Sequence, residues 1–136
     1  MTWDQLRNCE KLGMTFGPHT VTHPVLSRTT LEQARYEITE SWLRLRTEAS
    51  NPVPIFCYPN GGWDDFGDRE IGILRELGFL GGVVGEPGYA SAVNFSKNIE
   101  NPFKVQRFGL PDLMPNLVQY VSGVERFKQI LRGSSI

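Results

Sequence analysis

The sequence predicts an α/β fold with a parallel sheet, on three observations. Helix-type and strand-type segments alternate along the chain, as they do where strands are joined by covering helices. The helical segments carry apolar residues at three- and four-residue steps, so each has one face to bury. The strand-type segments are short and apolar, and glycine and proline punctuate them. At 136 residues the chain fits one domain, residues 1–136, with no internal repeat, low-complexity segment or linker to divide it.

The first element is a helix over Thr2–Leu12. Thr2 and Gln5 have capping-box spacing, Trp3, Leu6 and Cys9 share one face, and Gly13 falls where a left-handed C-cap belongs. Met14–Phe16 is a brief strand closed by Gly17-Pro18, and a histidine-bearing loop, His19–Pro24, follows. The next helix runs from Thr30 to Ala49. Leu31, Ala34, Ile38, Trp42 and Leu45 form its apolar stripe, Thr29 and Glu32 offer a second capping box, and Asn51-Pro52 ends it. Val53–Tyr58 reads as a strand that runs into the turn Pro59-Asn60-Gly61-Gly62. A helix over Asp68–Leu77 turns Ile71, Leu74 and Leu77 inward and stops at Gly78. Phe79–Val84 is a buried strand, Gly85–Asn101 a long surface loop, and Lys104–Phe108 a further strand. From Pro111 the chain is helical in two pieces broken near Ser122-Gly123, with Val124, Phe127, Ile130 and Leu131 burying the last piece.

The formal net charge is −1, and lysine and arginine are scattered. A nucleic-acid footprint needs a basic face and a polybasic membrane anchor needs a cluster, so both partner classes are disfavoured. No apolar run reaches the length of a membrane span. Met1-Thr2-Trp3-Asp4-Gln5 reads as the start of a helix and not as a secretion leader; if the parent protein is exported, its leader is expected outside this chain. The compartment is not legible. Cys9 and Cys57 are far apart, make no metal-type spacing, and read as buried free thiols.

Both histidines lie in one short segment, His19-Thr20-Val21-Thr22-His23-Pro24. A four-residue spacing lets two imidazoles reach one divalent ion from the same side of a turn. Pro24 disfavours the helical conformation at His23, which puts the pair on a tight loop after a strand, a usual place for a site in a β/α fold. A bare pair at this spacing is a weak pattern, and histidines that cap helices or satisfy core hydrogen bonds look the same.

Three stretches carry more. Gly17-Pro18-His19-Thr20-Val21-Thr22-His23-Pro24-Val25-Leu26 precedes a polar cap and an amphipathic helix. Trp3-Asp4-Gln5-Leu6 through Leu12-Gly13-Met14 leads into it, and Phe56-Cys57-Tyr58-Pro59-Asn60-Gly61-Gly62 comes before the helix that ends Leu77-Gly78-Phe79. Together they resemble the polysaccharide deacetylases, the NodB-homology or carbohydrate esterase family 4 enzymes, whose histidine motif reads His-Ser/Thr-x-x-His. The resemblance covers the first two thirds of the chain. It implies an irregular β/α barrel and a divalent metal, usually zinc, that serves hydrolysis of N-acetyl groups on sugar polymers. It makes His19 and His23 two of three metal ligands, and places oxyanion-holding backbone N–H groups near Asn60.

The departures are as informative. The family's opening strand carries Thr-Phe-Asp-Asp-Gly, the source of a general base and a third ligand, and nothing before Trp3 matches it. The expectation is a partial barrel of the NodB-homology type lacking its opening strand, and open sheet edges that favour a homodimer or strand exchange. Arg-x-Pro-Tyr of the third motif becomes Cys57-Tyr58-Pro59-Asn60, although a Tyr-Pro-x-Gly version resembles one branch of the family. No histidine follows His23 to act as a late general acid, and Arg107 corresponds only loosely to that region.

Asp64 and Asp65 lie just beyond the Pro59 turn, where a substitute carboxylate could approach the site. Asp65 or Asp68 is equally placed to cap the following helix. Tyr58, Trp63 and Phe66 surround the Gly61-Gly62 turn and suggest sugar-stacking rings, with Trp63 either a groove wall or packing. The substrate and oxyanion set is then Tyr58, Pro59, Asn60, Gly61 and Trp63. Three readings result: a metal-dependent hydrolase-like domain of the deacetylase type, acting on non-peptide carbon–nitrogen bonds and impaired or inactive as an isolated chain; a non-catalytic carbohydrate-binding or interaction module on that fold; or a histidine segment that is structural, with a likeness of fold alone.

Overall fold

A computed structural model of the protein describes residues 1–90, 96 and 101–131. Helix α1 spans Trp3–Lys11, and Thr2 and Gln5 form both halves of its capping box. The backbone N–H of Thr2 donates to Gln5 Oε1 at 2.8 Å, and that of Gln5 to Thr2 Oγ1 at 3.3 Å. Gly13, at φ 92°, turns the chain out of the helix in the left-handed region that only glycine occupies freely. Helix α2 spans Leu31–Glu48 and buries Ala34, Ile38 and Leu45 on one stripe. Its cap is Thr30, whose hydroxyl accepts from Gln33 N, and not the expected Thr29–Glu32 pair. Two equivalent threonines stand side by side, and Thr29 Oγ1 instead donates to Leu26 O at 2.7 Å. Leu31, expected on the buried stripe, is exposed, while Trp42 tilts over Phe79 with ring centres 5.2 Å apart. The two long elements are stitched at one end. Glu10 accepts from Ser50 N and Asn51 N, and the Arg7 guanidinium donates to Glu48 O at 2.7 Å.

Strands β1 (Ile55–Cys57) and β2 (Gly81–Val83) pair in parallel through α3 (Asp68–Glu76). A segment through Phe16 bridges Pro52 on the outer side of β1, and Val105 bridges Val83 on the outer side of β2. Four chain segments thus run parallel, in the order Phe16, β1, β2, Val105, and their carboxyl ends share one edge of the layer.

The strands are shorter than their apolar runs. Pro18, Pro52 and Pro54 lack the N–H that a ladder needs, so Met14–Phe16 makes one bridge and Val53–Tyr58 shrinks to β1. Phe79–Val84 shrinks with its partner: Phe79 N turns back to Leu74 O at the end of α3. Lys104–Phe108 is a single bridge preceded by a 3₁₀ turn at Pro102–Lys104, where Asn101 Oδ1 accepts from Phe103 N at 2.9 Å. Of the predicted loop Gly85–Asn101, residues 91–95 and 97–100 lie outside the described residues.

Strand alternation sorts the side chains into two faces. Phe56 and Tyr58 point into the helical layer, where α2 and α3 pack, and join Leu26, Ile38, Ile71, Leu74 and Phe79 in one core. Burying each such side chain stabilises the fold by roughly 1.5–3 kcal/mol. Ile55 and Cys57 face the other way and line a cavity of about 200 Å³ with Gly17, Val83 and Arg107. Cys9 and Cys57 are half-buried free thiols, less enclosed than expected. Helices α4 (Met114–Val121) and α5 (Val124–Leu131) pack on each other. The expected burial of α5 fails: Val124, Phe127 and Leu131 are exposed, and the side chain of Ile130 lies outside the described residues. Among the described residues no helix is long and apolar enough to cross a membrane.

Candidate functional site

The carboxyl ends of parallel strands are where a β/α layer leaves backbone and loops free to build a site. Here that edge gathers His19 after the Phe16 segment, Asn60 after β1, Gly85 after β2 and Arg107 after Val105. The main chain brings the first two strands together: Cys57 N donates to Pro18 O at 3.1 Å, and His19 Nδ1 lies 2.7 Å from Cys57 O. A carbonyl can only accept, so Nδ1 is the donor of this contact, and in the neutral ring Nε2 is the nitrogen that keeps a lone pair. This is the arrangement in which a histidine is oriented for a metal by a partner on its other nitrogen. The His23 ring sits edge-on to it, with centroids 4.8 Å apart and planes at 76°, and its nitrogens make no hydrogen bond among the described residues. Both imidazoles are exposed.

The loop that presents them is bent against local preference. Thr20 and His23 have φ of 66° and 60°, a left-handed conformation that costs a residue with a Cβ roughly 1–2 kcal/mol. Two sets of contacts hold it. Thr20 Oγ1 donates to His19 O at 2.5 Å and accepts from His23 N at 3.1 Å. Glu37, on α2 and only 2% exposed, accepts from Val21 N, Thr22 N and Thr22 Oγ1 at 2.8, 2.8 and 2.5 Å. Burial alone would push the Glu37 carboxyl up, but these three donors outweigh it and leave it below the ordinary glutamate range. The exit of the loop is held as well. Arg69 donates to Leu26 O and Thr29 O at 2.8 and 3.0 Å while its Nε meets Glu70, whose other oxygen accepts from Gly67 N.

Glu37 and Arg69 were not singled out in the sequence. Glu37 carried one readable signal, a carboxylate inside the apolar stripe between Ala34 and Ile38. Arg69 carried none, since the two loop carbonyls it holds lie 40 and 43 positions back.

The remaining expected residues divide. Asn60 has φ 56°, and its N–H meets no acceptor among the described residues. Gly61 N and Gly62 N are already taken, by Pro59 O at 2.6 Å and Asp65 Oδ2 at 2.9 Å. Of the backbone N–H groups expected near Asn60, those of Gly61 and Gly62 are thus engaged within the turn. Pro59 and Gly61 are buried in the turn, and Trp63 is 49% exposed.

Tyr58 corrects the sequence expectation. It is 0% exposed, stacked on Phe66 at 3.8 Å, and its hydroxyl has no partner, so neither ring is open to a sugar. The reason is parity: one step from Cys57 along β1 turns the side chain from the strand-edge cavity into the helical core. Asp65 serves the turn through Gly62 N, and Gly67 rather than Asp65 or Asp68 caps α3. Neither Asp64 nor Asp65 completes the site: among the described residues no three histidine, cysteine or carboxylate side chains could hold a metal together. A second cavity, of about 410 Å³, is lined by residues of α1, α2 and the Phe16–Val21 segment, His19 and Thr20 among them.

Fold and site together define a β/α-type domain with a histidine pair set at the carboxyl edge of a parallel sheet. The sequence matches the family model described as polysaccharide deacetylase over residues 1–79. Among solved structures, the Streptococcus pyogenes deacetylase PplD, determined in complex with acetate, is similar, with a TM-score of 0.72 and 28% identity. The match covers 88% of this chain and 50% of that one, so the chain spans about half the length of its structural relative. No curated protein matches the sequence. The chain belongs to the polysaccharide deacetylase family, and its helices and small parallel sheet form part of a NodB-type deacetylase fold.

Proposed function

We propose that this chain contributes the histidine half of a metal-dependent deacetylase that acts on N-acetylated sugar polymers. The observation that carries it is the His19–His23 pair: two exposed imidazoles edge-on at 4.8 Å, one with its Nδ1 proton committed to Cys57 O. The donor set suits a borderline-soft divalent ion such as zinc, for which imidazole nitrogen is a preferred ligand. When bound, such an ion polarises the amide carbonyl and acidifies a water. In the net reaction water adds to the acetyl carbon, the carbon–nitrogen bond breaks, and acetate and a free amine leave. In this reading the Asn60 N–H, without an acceptor among the described residues, donates to the oxygen that gains charge, and the part-exposed Trp63 ring stacks on a sugar face.

A third ligand and a general base are to come from outside the described residues, so the isolated chain is proposed to be impaired or inactive in hydrolysis. The lack of a third ligating group among the described residues also supports a second reading, a sugar-binding or interaction module without turnover. Calorimetric zinc titration, with deacetylation of N-acetylglucosamine oligomers, tests both. Zinc uptake lost in His19→Ala and His23→Ala supports the metal site. Turnover abolished by chelator and by His19→Ala refutes the module reading. No heat at millimolar zinc from a folded protein refutes the metal site.

A further inference from the structure

The loop that carries the histidines is held in part from outside its own sequence. Apart from the Thr20 hydroxyl, its central N–H groups and the Thr22 hydroxyl converge on one carboxylate, that of Glu37. That carboxylate is set on the buried stripe of α2, where Ala34 and Ile38 pack into the core. Its position is therefore fixed by the core, and it passes that fixity to the loop. A glutamate on this stripe has no local use: it caps no helix end and makes no ion pair among the described residues. The three hydrogen bonds it accepts all come from residues 21 and 22, midway between the two imidazoles.

We infer that Glu37 is a positioning residue, which holds Thr20 and His23 in their left-handed conformations and so keeps both imidazoles aimed at one point. The inference rests on the metal reading of His19 and His23. It goes beyond that reading by assigning the site's geometry to a side chain that touches neither metal nor substrate. The carboxylate suits the task because every group it meets is a donor and it has only acceptors. Glutamine can keep the two N–H contacts on its carbonyl oxygen, but its NH₂ must then donate to a Thr22 hydroxyl turned round to accept, and all three contacts lose the assistance of the carboxylate charge.

The test uses the full chain with Glu37→Gln, Thr22→Val, and Leu74→Ala as a core variant that lowers stability without touching the loop. All are measured far below their melting temperatures. Zinc is titrated by calorimetry, and the metal-free proteins are followed by amide hydrogen exchange and by ¹⁵N shifts of the imidazoles. Glu37→Gln is expected to weaken zinc binding about 10- to 100-fold, the range typical for loss of a group that orients ligands. In the metal-free state it should lower exchange protection at Val21 and Thr22 by roughly tenfold or more. The His19 signal should also drift from the pure Nδ1–H tautomer. Thr22→Val should follow in the same direction with a smaller effect, and Leu74→Ala should leave zinc affinity and tautomer unmoved.

If Glu37→Gln melts lower but binds zinc as tightly as the parent, with Val21 and Thr22 still protected, the role is merely structural and the inference is overturned. If the parent protein itself takes up no zinc, the metal reading falls and the assignment of Glu37 to ligand positioning falls with it. That outcome is recognised separately, because the exchange response of the metal-free loop to Glu37→Gln stands or fails independently of zinc.

Discussion

Tyr58→Phe separates a core role from a substrate role for the one aromatic residue of the Pro59 turn that is fully enclosed. The ring is 0% exposed, stacks on Phe66 at 12° and meets Phe56 edge-on at 5.3 Å. Its hydroxyl has no hydrogen-bond partner, and burial together with the nearby Glu70 pushes its ionisation far above the ordinary tyrosine range, so it stays a neutral, unsatisfied O–H. Leaving such a group unpaired costs about 1–3 kcal/mol. Removing one oxygen forfeits a few dispersion contacts of about 0.1–0.2 kcal/mol each, so most of that cost is recovered. Tyr58→Phe should therefore stabilise the protein by about 1 kcal/mol. In urea denaturation this moves the midpoint up by roughly 0.5 M, and in a thermal melt by several degrees. Zinc affinity should not change. Destabilisation by about 1 kcal/mol or more would refute the reasoning, because it would mean that the hydroxyl is satisfied and reachable by polar groups.

Two further outcomes follow from the backbone and the carboxylates. A Cβ at Gly85 would lie 2.1 Å from Asn60 O, a backbone atom that cannot swing aside, whereas at Gly72 it would meet nothing within 4 Å. Gly85→Ala should cost about 3 kcal/mol and Gly72→Ala, inside α3, should gain about 0.5–1 kcal/mol; equal melting temperatures would count against the close turn. Glu10, through Ser50 N and Asn51 N, and Glu37, whose donors outweigh its burial, both sit below the ordinary glutamate value of 4.5. Each binds its proton more weakly folded than unfolded, so its contribution is present in full above that value and is lost as pH falls through the lower folded values. A urea midpoint that is level towards neutrality and drops below about pH 4.5, less steeply in Glu37→Gln, is expected. A midpoint that rises on acidification would show the opposite sign.

The parts of the fold that were legible in the sequence are those set by near neighbours. Thr2 and Gln5 are three residues apart and close the box the pattern announces. The Ala34, Ile38 and Leu45 stripe needs only a helical period, and Gly13 needs only a left-handed step. The cap of α2 slipped by one residue because Thr29 and Thr30 are chemically equal, and tertiary placement chose between them. Strand lengths were overstated because apolar runs say nothing of which prolines stand opposite. On α5 the stripe of Val124, Phe127 and Leu131 is real, but amphipathic spacing predicts only that a face exists, and no described element covers this one.

At the site the histidine pair was readable as a family motif, and Asn60 as a turn residue that tolerates a positive φ. The direction of Tyr58 was not, because a strand's parity is fixed by its neighbours. Nor was the carboxylate of Glu37, which reads as an ordinary charge until the loop folds onto it.

The partners that shape the histidine loop from outside it come later in the chain than the loop itself. Glu37 lies 15 residues after Thr22, Cys57 lies 38 after His19, and Arg69 lies 43 after Leu26. Closing such separations is an entropic cost met before any of these contacts stabilises the chain. The imidazoles are therefore synthesised and exposed well before the helix and strand that aim them exist. The final form of the loop thus includes contacts that exist only when α3 is docked, with Arg69 holding the loop's exit.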